Sequence, residues 1–492
     1  VAGVRSSARL IPLLLLGLSA CEKEPVIEVI PGVDSSLEVV LVNPTQCPRC
    51  DAFEGVDTLR IEVSVGGDVV ASDNFAWPGE AVTLPDLSSF GVVRVSLLGL
   101  ADGRVLSAGR TAEIVLLTDA TLSVPLVFVP ANRALPLAAG MLDDRYLPGL
   151  ILRRSGAVVV AGGLDPLRQR ALVGVEAYDL VSGTFVEADP LPVSGFAAPA
   201  VTPLPDGETL LAGGYAVVGD GEVPVESALV FDDATGLFTE IGEMSQGRVD
   251  HCVAMFRDRQ GVVFGGAPGA GDYLKVDPDV GGWAFSSLVV RDLDSSAVSG
   301  CATTEEGTVF VQGSDAASTG VWSESVSTDP SEAWRPIAEG ASGDFRYVEG
   351  AALVPSGDGG TFVLGGADSA TGEVYADGRH FSVDNNRFES VVGFVRPRFA
   401  PQLAPWIEAG WYAAGCGWAS ADRAEGEPSV ELVSPGTDEG SPAFQLDRDR
   451  EGCGLAVLPD GSVLLVGGGP AGVPDGSSAA LLVPWLDTVA GG

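Results

Sequence analysis

A chain of 492 residues is long enough to build two or more cores. Its apolar fraction of 46% excludes a disordered chain, while 65 glycines and 33 prolines argue for many turns and against long helices. Formal charge is −39, from 67 acidic and 28 basic residues, which disfavours nucleic acid and acidic membrane surfaces as partners.

At the start of the chain, Arg5 and Arg9 precede the apolar stretch Leu10 to Leu18, which is too short for a permanent membrane span. The stretch runs into Leu18-Ser19-Ala20-Cys21. Small residues before a cysteine in this place resemble the lipobox of bacterial lipoproteins. The resemblance implies that residues 1–20 are a signal peptide removed before Cys21, that Cys21 is acylated, and that lipid is the only membrane attachment. Glu22 in place of Asp favours the outer membrane in that family. The chain opens on Val1, which points to a non-standard initiator or a start upstream.

Residues 21–36 read as the lipidated cysteine and a tether. From 37 to 130 the pattern alternates with period two: Leu59, Ile61, Val63 and Val65 share one face, as do Val93, Val95 and Leu97. Short strands punctuated by turns predict a β-sandwich, immunoglobulin-like or related, serving as a spacer between the tether and the larger C-terminal body. Cys47-Pro-Arg-Cys50 has the spacing of a zinc half-site, but no second pair completes it; a local disulfide is the expected use.

Beyond residue 133 a unit repeats. Seven apolar runs end at Gly162-Gly163, Gly213-Gly214, Gly265-Gly266, Gln312-Gly313, Gly365-Gly366, Gly415-Cys416 and Gly467-Gly468, spaced 47 to 53 residues apart. Each unit reads as four strands, with a glycine hairpin after the first, the glycine pair after the second, and an aromatic opening the fourth: Phe185, Phe238, Trp283, Trp334, Phe388 and Phe444. The last unit lacks a fourth strand, and Arg133 to Met141 looks like one. In order and spacing these units resemble the kelch repeat, over about Arg133 to Trp485. The resemblance implies an all-β chain in which residues 133–492 form a seven-bladed β-propeller, the N-terminal strand completing the last blade and removing two sheet edges.

Six cysteines remain after cleavage: Cys47, Cys50, Cys252, Cys301, Cys416 and Cys453. An even number in an exported chain suggests disulfides. The repeat register favours a 416–453 bridge between adjacent units and leaves 252–301 open between a bridge and buried thiols.

Arg145, Arg248, Arg346, Arg398 and Arg450 recur at the start of first strands. If the units close on themselves, these guanidiniums converge at one mouth of the channel, where they suit carboxylate or sulfate groups of a peptide or glycan. The alternative is that each braces its blade against Asp144, Asp250, Asp344 or Asp449. Asp143-Asp144, Asp232-Asp233 and Asp277-Pro278-Asp279 read as turn chemistry rather than calcium ligands. Only two histidines exist, His251 and His380; there is no HExxH helix, no GxxxxGK phosphate loop and no GxSxG elbow. Galactose oxidase-like kelch proteins hold copper with paired histidines and tyrosines, a pairing these positions do not supply, and no cofactor is expected. These readings converge on a monomeric, non-enzymatic scaffold at the bacterial envelope that binds a protein or glycan, the Tyr215 to Val225 loop being one contact. The rivals are a carbohydrate oxidase or epimerase on the same scaffold, and a structural envelope protein without a dedicated ligand.

Overall fold

The computed structural model describes residues 26–29, 36–45, 50–78, 87, 91–116, 121–204, 207–219, 221–256, 260–266, 271–277, 282–289, 293, 298–304, 307–313, 319–322, 334–336, 347–384, 387–437, 442–446, 448–469 and 479–486. Among them every regular element is a β-strand. The signal segment with Cys21, and also Cys47 and Arg346, lie outside the described residues.

The first unit holds two sheets. Val26–Val29, Ser36–Val42 and Thr121–Val127 form one, with the last two strands parallel. Thr58–Val65, Asp68–Ala76, Val92–Ala101, Arg104–Arg110 and Val129–Pro130 form most of the other. Alternation decides what is inside: Leu37, Val39 and Leu41 share a core with Leu59, Ile61, Val63, Val93, Val95 and Leu97.

Seven four-stranded antiparallel sheets follow. The first contains Gly149–Leu152, Val158–Ala161, Val175–Asp179 and Thr184–Ala188. The second contains Ala200–Pro203, Glu208–Ala212, Ser227–Asp232 and Leu237–Glu243. The third contains His251–Met255, Gln260–Gly265, Gly271–Asp277 and Gly282–Leu288. The fourth to sixth begin with Val298–Thr303, Ala352–Pro355 and Gln402–Pro405. The seventh combines Gly454–Val457, Val463–Val466 and Ala479–Leu482 with Ala134–Pro136, which pairs with Ala479–Leu482 from more than three hundred residues upstream. Second strands are apolar on both faces because both are covered: Val158–Ala161 and Val463–Val466 are buried throughout. Fourth-strand aromatics stand opposite a third-strand partner, as in Tyr178–Phe185, Phe231–Phe238 and Phe381–Phe388, with ring centroids 5.1, 4.9 and 4.9 Å apart.

The glycine pairs link neighbouring sheets. The second glycine takes a left-handed φ (92° at Gly163, 86° at Gly214 and Gly366, 75° at Gly468). This turns its N–H to a carbonyl of the next sheet: Gly163 to Phe196, Gly214 to Arg248, Gly366 to Arg398, and Gly468 to Arg145 of the first sheet, all at 2.8–2.9 Å. In the fourth unit Gln312 breaks the pair, and its Nε2 instead reaches the carbonyl of Val348, at 2.6 Å. The third and fourth sheets are joined by the Cys252–Cys301 disulfide and by Thr303 Oγ1 donating to Met255 O at 2.8 Å. Cys416–Cys453 joins the sixth and seventh. Cα separations of 5.6 and 5.0 Å suit both bridges, so the pairing left open at 252–301 is a bond. Cys50 is disulfide-bonded as well.

The first unit packs on the seventh sheet. Val42, Leu98, Leu100, Val127 and Val129 share one core with Leu135, Leu137, Leu458, Leu464, Leu481 and Val483 of the seventh sheet. Asn132 N donates to Val483 O, and Trp485 N to Asn132 Oδ1. Arg110, buried, lies over the rings of Trp406 and Trp485 at 5.3 and 4.6 Å and donates to Pro484 O. Burial lowers its pKa to about 10, against the opposing pull of Glu408 and Asp460.

Candidate functional site

Four of the five sequence-selected arginines are described, and all four are buried: Arg145 is 2% exposed, Arg248, Arg398 and Arg450 0%. Their acceptors are internal. Arg145 bonds the carbonyls of Gly162 and Gly174 and the carboxylate of Glu176. Arg248 bonds Gly265 O and Asp272, and Arg398 bonds Ser429 and Glu431. Arg450 donates to Gly467 O. Each acid sits near the start of the third strand of the same sheet and also accepts loop amides: Leu142 N and Asp143 N on Glu176, Ser245 N on Asp272, Val395 N and Arg396 N on Glu431. For Arg145, Arg248 and Arg398 the carboxylate partners are therefore these third-strand acids. Guanidiniums so enclosed present nothing to a ligand at a surface.

The second sheet shows the same bracing position filled without charge. Phe196 stands where the first, third, sixth and seventh units have arginine, and Leu229 where the first, third and sixth have the acid; both are buried in one apolar cluster. In the fifth unit the equivalent residue, two before left-handed Gly350, is Val348. Arg346 is therefore out of register by two.

A different set of side chains converges at the glycine-pair end of the sheets. The residue that follows a glycine pair (in the sixth unit Cys416-Gly417, one residue beyond the expected Gly415-Cys416) bridges to the residue before a left-handed position at the start of a first strand: Leu164 with Tyr146, Tyr215 with Ala197, Trp418 with Phe399. Left-handed Leu147, Ala198, Asp250 and Ala400 (φ 47–53°) mark that turn in four units; such strain in non-glycine residues persists only where surrounding structure enforces it. Leu147 N donates to Gly452 O, Ala198 N to Leu147 O and Ala400 N to Gly350 O, so the turns bond one another across sheets. The result is a single cluster of Tyr146, Leu164, Tyr215, Ala367, Phe399 and Trp418, joined by Val249 of the third unit.

Two arginines outside the repeat pattern cover this cluster. Arg168 lies 3.6 Å above the Tyr146 ring, donates through Nη2 to Gly469 O at 3.2 Å, and stands 3.8 Å from Glu451. Arg423 lies 5.1 Å from the Trp418 ring and 5.7 Å from Phe399, and its Nη2 bonds Asp250 of the third unit at 2.9 Å. Both keep about a third of the side chain in solvent. Burial raises the pKa of Tyr146 and of Tyr215, and Arg168 and Arg423 pull both back down. Both arginines occur once each, in loops of different sequence, so no repeat signal marked them. The Tyr215 to Val225 insertion is a two-stranded hairpin, Tyr215–Val218 with Gly221–Pro224, beside this cluster and largely exposed.

The histidines lie apart. His251 opens the first strand of the third sheet opposite Gly265, at the glycine-pair end. Burial first, and Arg248 nearby, lower its pKa to about 4 against the backbone of Ala212, which favours the charged ring. His380, on the third strand of the fifth sheet, bonds Ser356 and Asp358 at the opposite, first-hairpin end. Its Nε2 touches both at 3.0 and 3.2 Å, so Asp358 does not hold the far nitrogen as a catalytic relay requires. Among the described residues no three His, Cys, Asp or Glu side chains group as a metal site.

The sequence matches no protein-family model and no curated protein. Among solved structures it is similar to a fungal alcohol oxidase of the AA5 family in complex with copper, at 14% identity and a TM-score of 0.53, over 72% of this chain and 76% of that one. That likeness concerns the fold. Two histidines at opposite ends of their sheets, with no third ligand gathered near either among the described residues, do not fit a copper ion.

Proposed function

We propose that the seven sheets are the blades of a closed kelch-like propeller and that the chain is a non-enzymatic binding scaffold. Closure is supported by the bonds from each sheet to the next, and by Gly468 of the seventh donating to Arg145 of the first. The observation that carries the functional reading is the cap at the glycine-pair end: loops of several units meet there under two half-exposed arginines. Loops gathered on a rigid frame are where binding surfaces are built. The ligand is a protein or a glycan, and the body is held at the envelope, at the outer membrane, by acylated Cys21. A glycan array and a pull-down with purified protein test the reading. Loss of the captured ligand on charge reversal of Arg168 and Arg423 supports it, and silence of both assays favours a purely structural role. Replacing Cys21 by Ala should release the protein from membranes.

The fold likeness to a copper alcohol oxidase supports one rival, an oxidase on the same frame. Stoichiometric copper in purified protein would revive it.

A further inference from the structure

Resting on that reading, we infer that the cap selects a small sugar acid, a ligand carrying one carboxylate beside several hydroxyls.

The carboxylate follows from the arginines. A guanidinium has five N–H donors. In both Arg168 and Arg423 only Nη2 is engaged, and Nε and Nη1 have no acceptor among the described residues. The engaged Nη2 and the ring beneath fix the orientation of each plane, so the free donors need little further ordering to bind a planar oxyanion. Both guanidiniums lie over rings of one cluster, Arg168 over Tyr146 and Arg423 beside Trp418 and Phe399.

Size follows from the surroundings. The whole chain carries −39, which disfavours a long polyanion. Asp250 and Glu451 stand beside the two guanidiniums, and Glu222 acts on both tyrosines. An extended acidic chain leaving the cap would meet those carboxylates.

The hydroxyls follow from the same carboxylates. Asp250 keeps most of its side chain in solvent while bonding Arg423, and so can accept from a ligand O–H. A hydroxyl can donate to that carboxylate; a methyl cannot.

Isothermal titration of the mature full-length protein in detergent, at constant ionic strength, compares glucuronate, glucose and acetate. The expected order is glucuronate first, with glucose and acetate each at least tenfold weaker. Arg168→Gln and Arg423→Gln should each weaken glucuronate about tenfold and together remove the heat, with an unchanged far-UV spectrum and both disulfides intact. Arg423→Lys, which keeps the charge and loses the fork, should fall with Arg423→Gln. Equal binding of glucose and glucuronate, equal binding of acetate, capture of an acidic peptide in place of glucuronate, or a double variant that binds like the wild type would each overturn the inference. If a neutral glycan is captured on the array through this cap while glucuronate is ignored, the scaffold reading stands and the sugar-acid inference falls. If neither assay yields a ligand, both fall.

Discussion

The sharpest test of how the sheets are braced is to make the third unit resemble the second. Arg248 and Asp272, 0% and 1% exposed, form an ion pair at 2.9 Å. At an effective dielectric constant of about 20 the direct attraction is roughly 6 kcal/mol, most of it offset by taking both charges out of water. Asp272→Leu removes the counter-charge from a buried guanidinium, an expected loss of about 3–5 kcal/mol. Arg248→Phe with Asp272→Leu recreates the Phe196–Leu229 arrangement that the second unit already tolerates. It should recover most of that loss. What remains, about 1–3 kcal/mol, reflects the Ser245 amide and the Gly265 carbonyl, which lose their partners on Asp272 and Arg248. Urea unfolding followed by tryptophan fluorescence measures all three proteins. A double variant as unstable as Asp272→Leu, or a single variant within about 1 kcal/mol of wild type, would refute the view that the pair is a replaceable brace.

The His251 pKa, depressed to about 4, makes stability depend on pH. The unfolded chain binds more protons between pH 4 and 6.5, so stability is full above about 6.5 and falls by roughly 3 kcal/mol on acidification to 4; His251→Met should flatten that part of the unfolding midpoint against pH. Each disulfide between neighbouring sheets is worth about 4 kcal/mol by loop entropy for separations of 37 and 49 residues. Cys252 and Cys301 are only partly buried whereas Cys416 and Cys453 are fully so, so graded reduction with alkylation and mass spectrometry should label the 252–301 pair first. Arg110→Ala loses two ring contacts and the bond to Pro484; a loss of about 2 kcal/mol is expected, and calorimetry should show the first unit unfolding ahead of the rest.

Much of the strand content was legible because strand signals are local. Val463-Leu464-Leu465-Val466 is apolar at every position and ends at Gly467-Gly468, and it is a strand buried on both faces. The aromatic at the start of each fourth strand was legible for the same reason, since its partner is only a hairpin away. The arginines misled because recurrence marks a shared environment and not which way a side chain faces. Glu176, Asp272 and Glu431 lie 24 to 33 residues from the arginines they hold, and in a strand acidic residues usually signal a solvated face. Arg168 and Arg423 were missed for the opposite reason: each occurs once, and only the meeting of the first, third and sixth units gives them a common surface.

Read alone, the order of residues determined strands, turns and the count of units, since backbone sterics and two-fold alternation act over a few positions. Packing across distant segments decided the rest: which arginine is walled in by an acid, that Cys252 lies 5.6 Å from Cys301 by Cα, and that Asp250 and Arg423 meet at 2.9 Å. Those outcomes depend on distances between chain segments far apart in sequence, which no local propensity encodes.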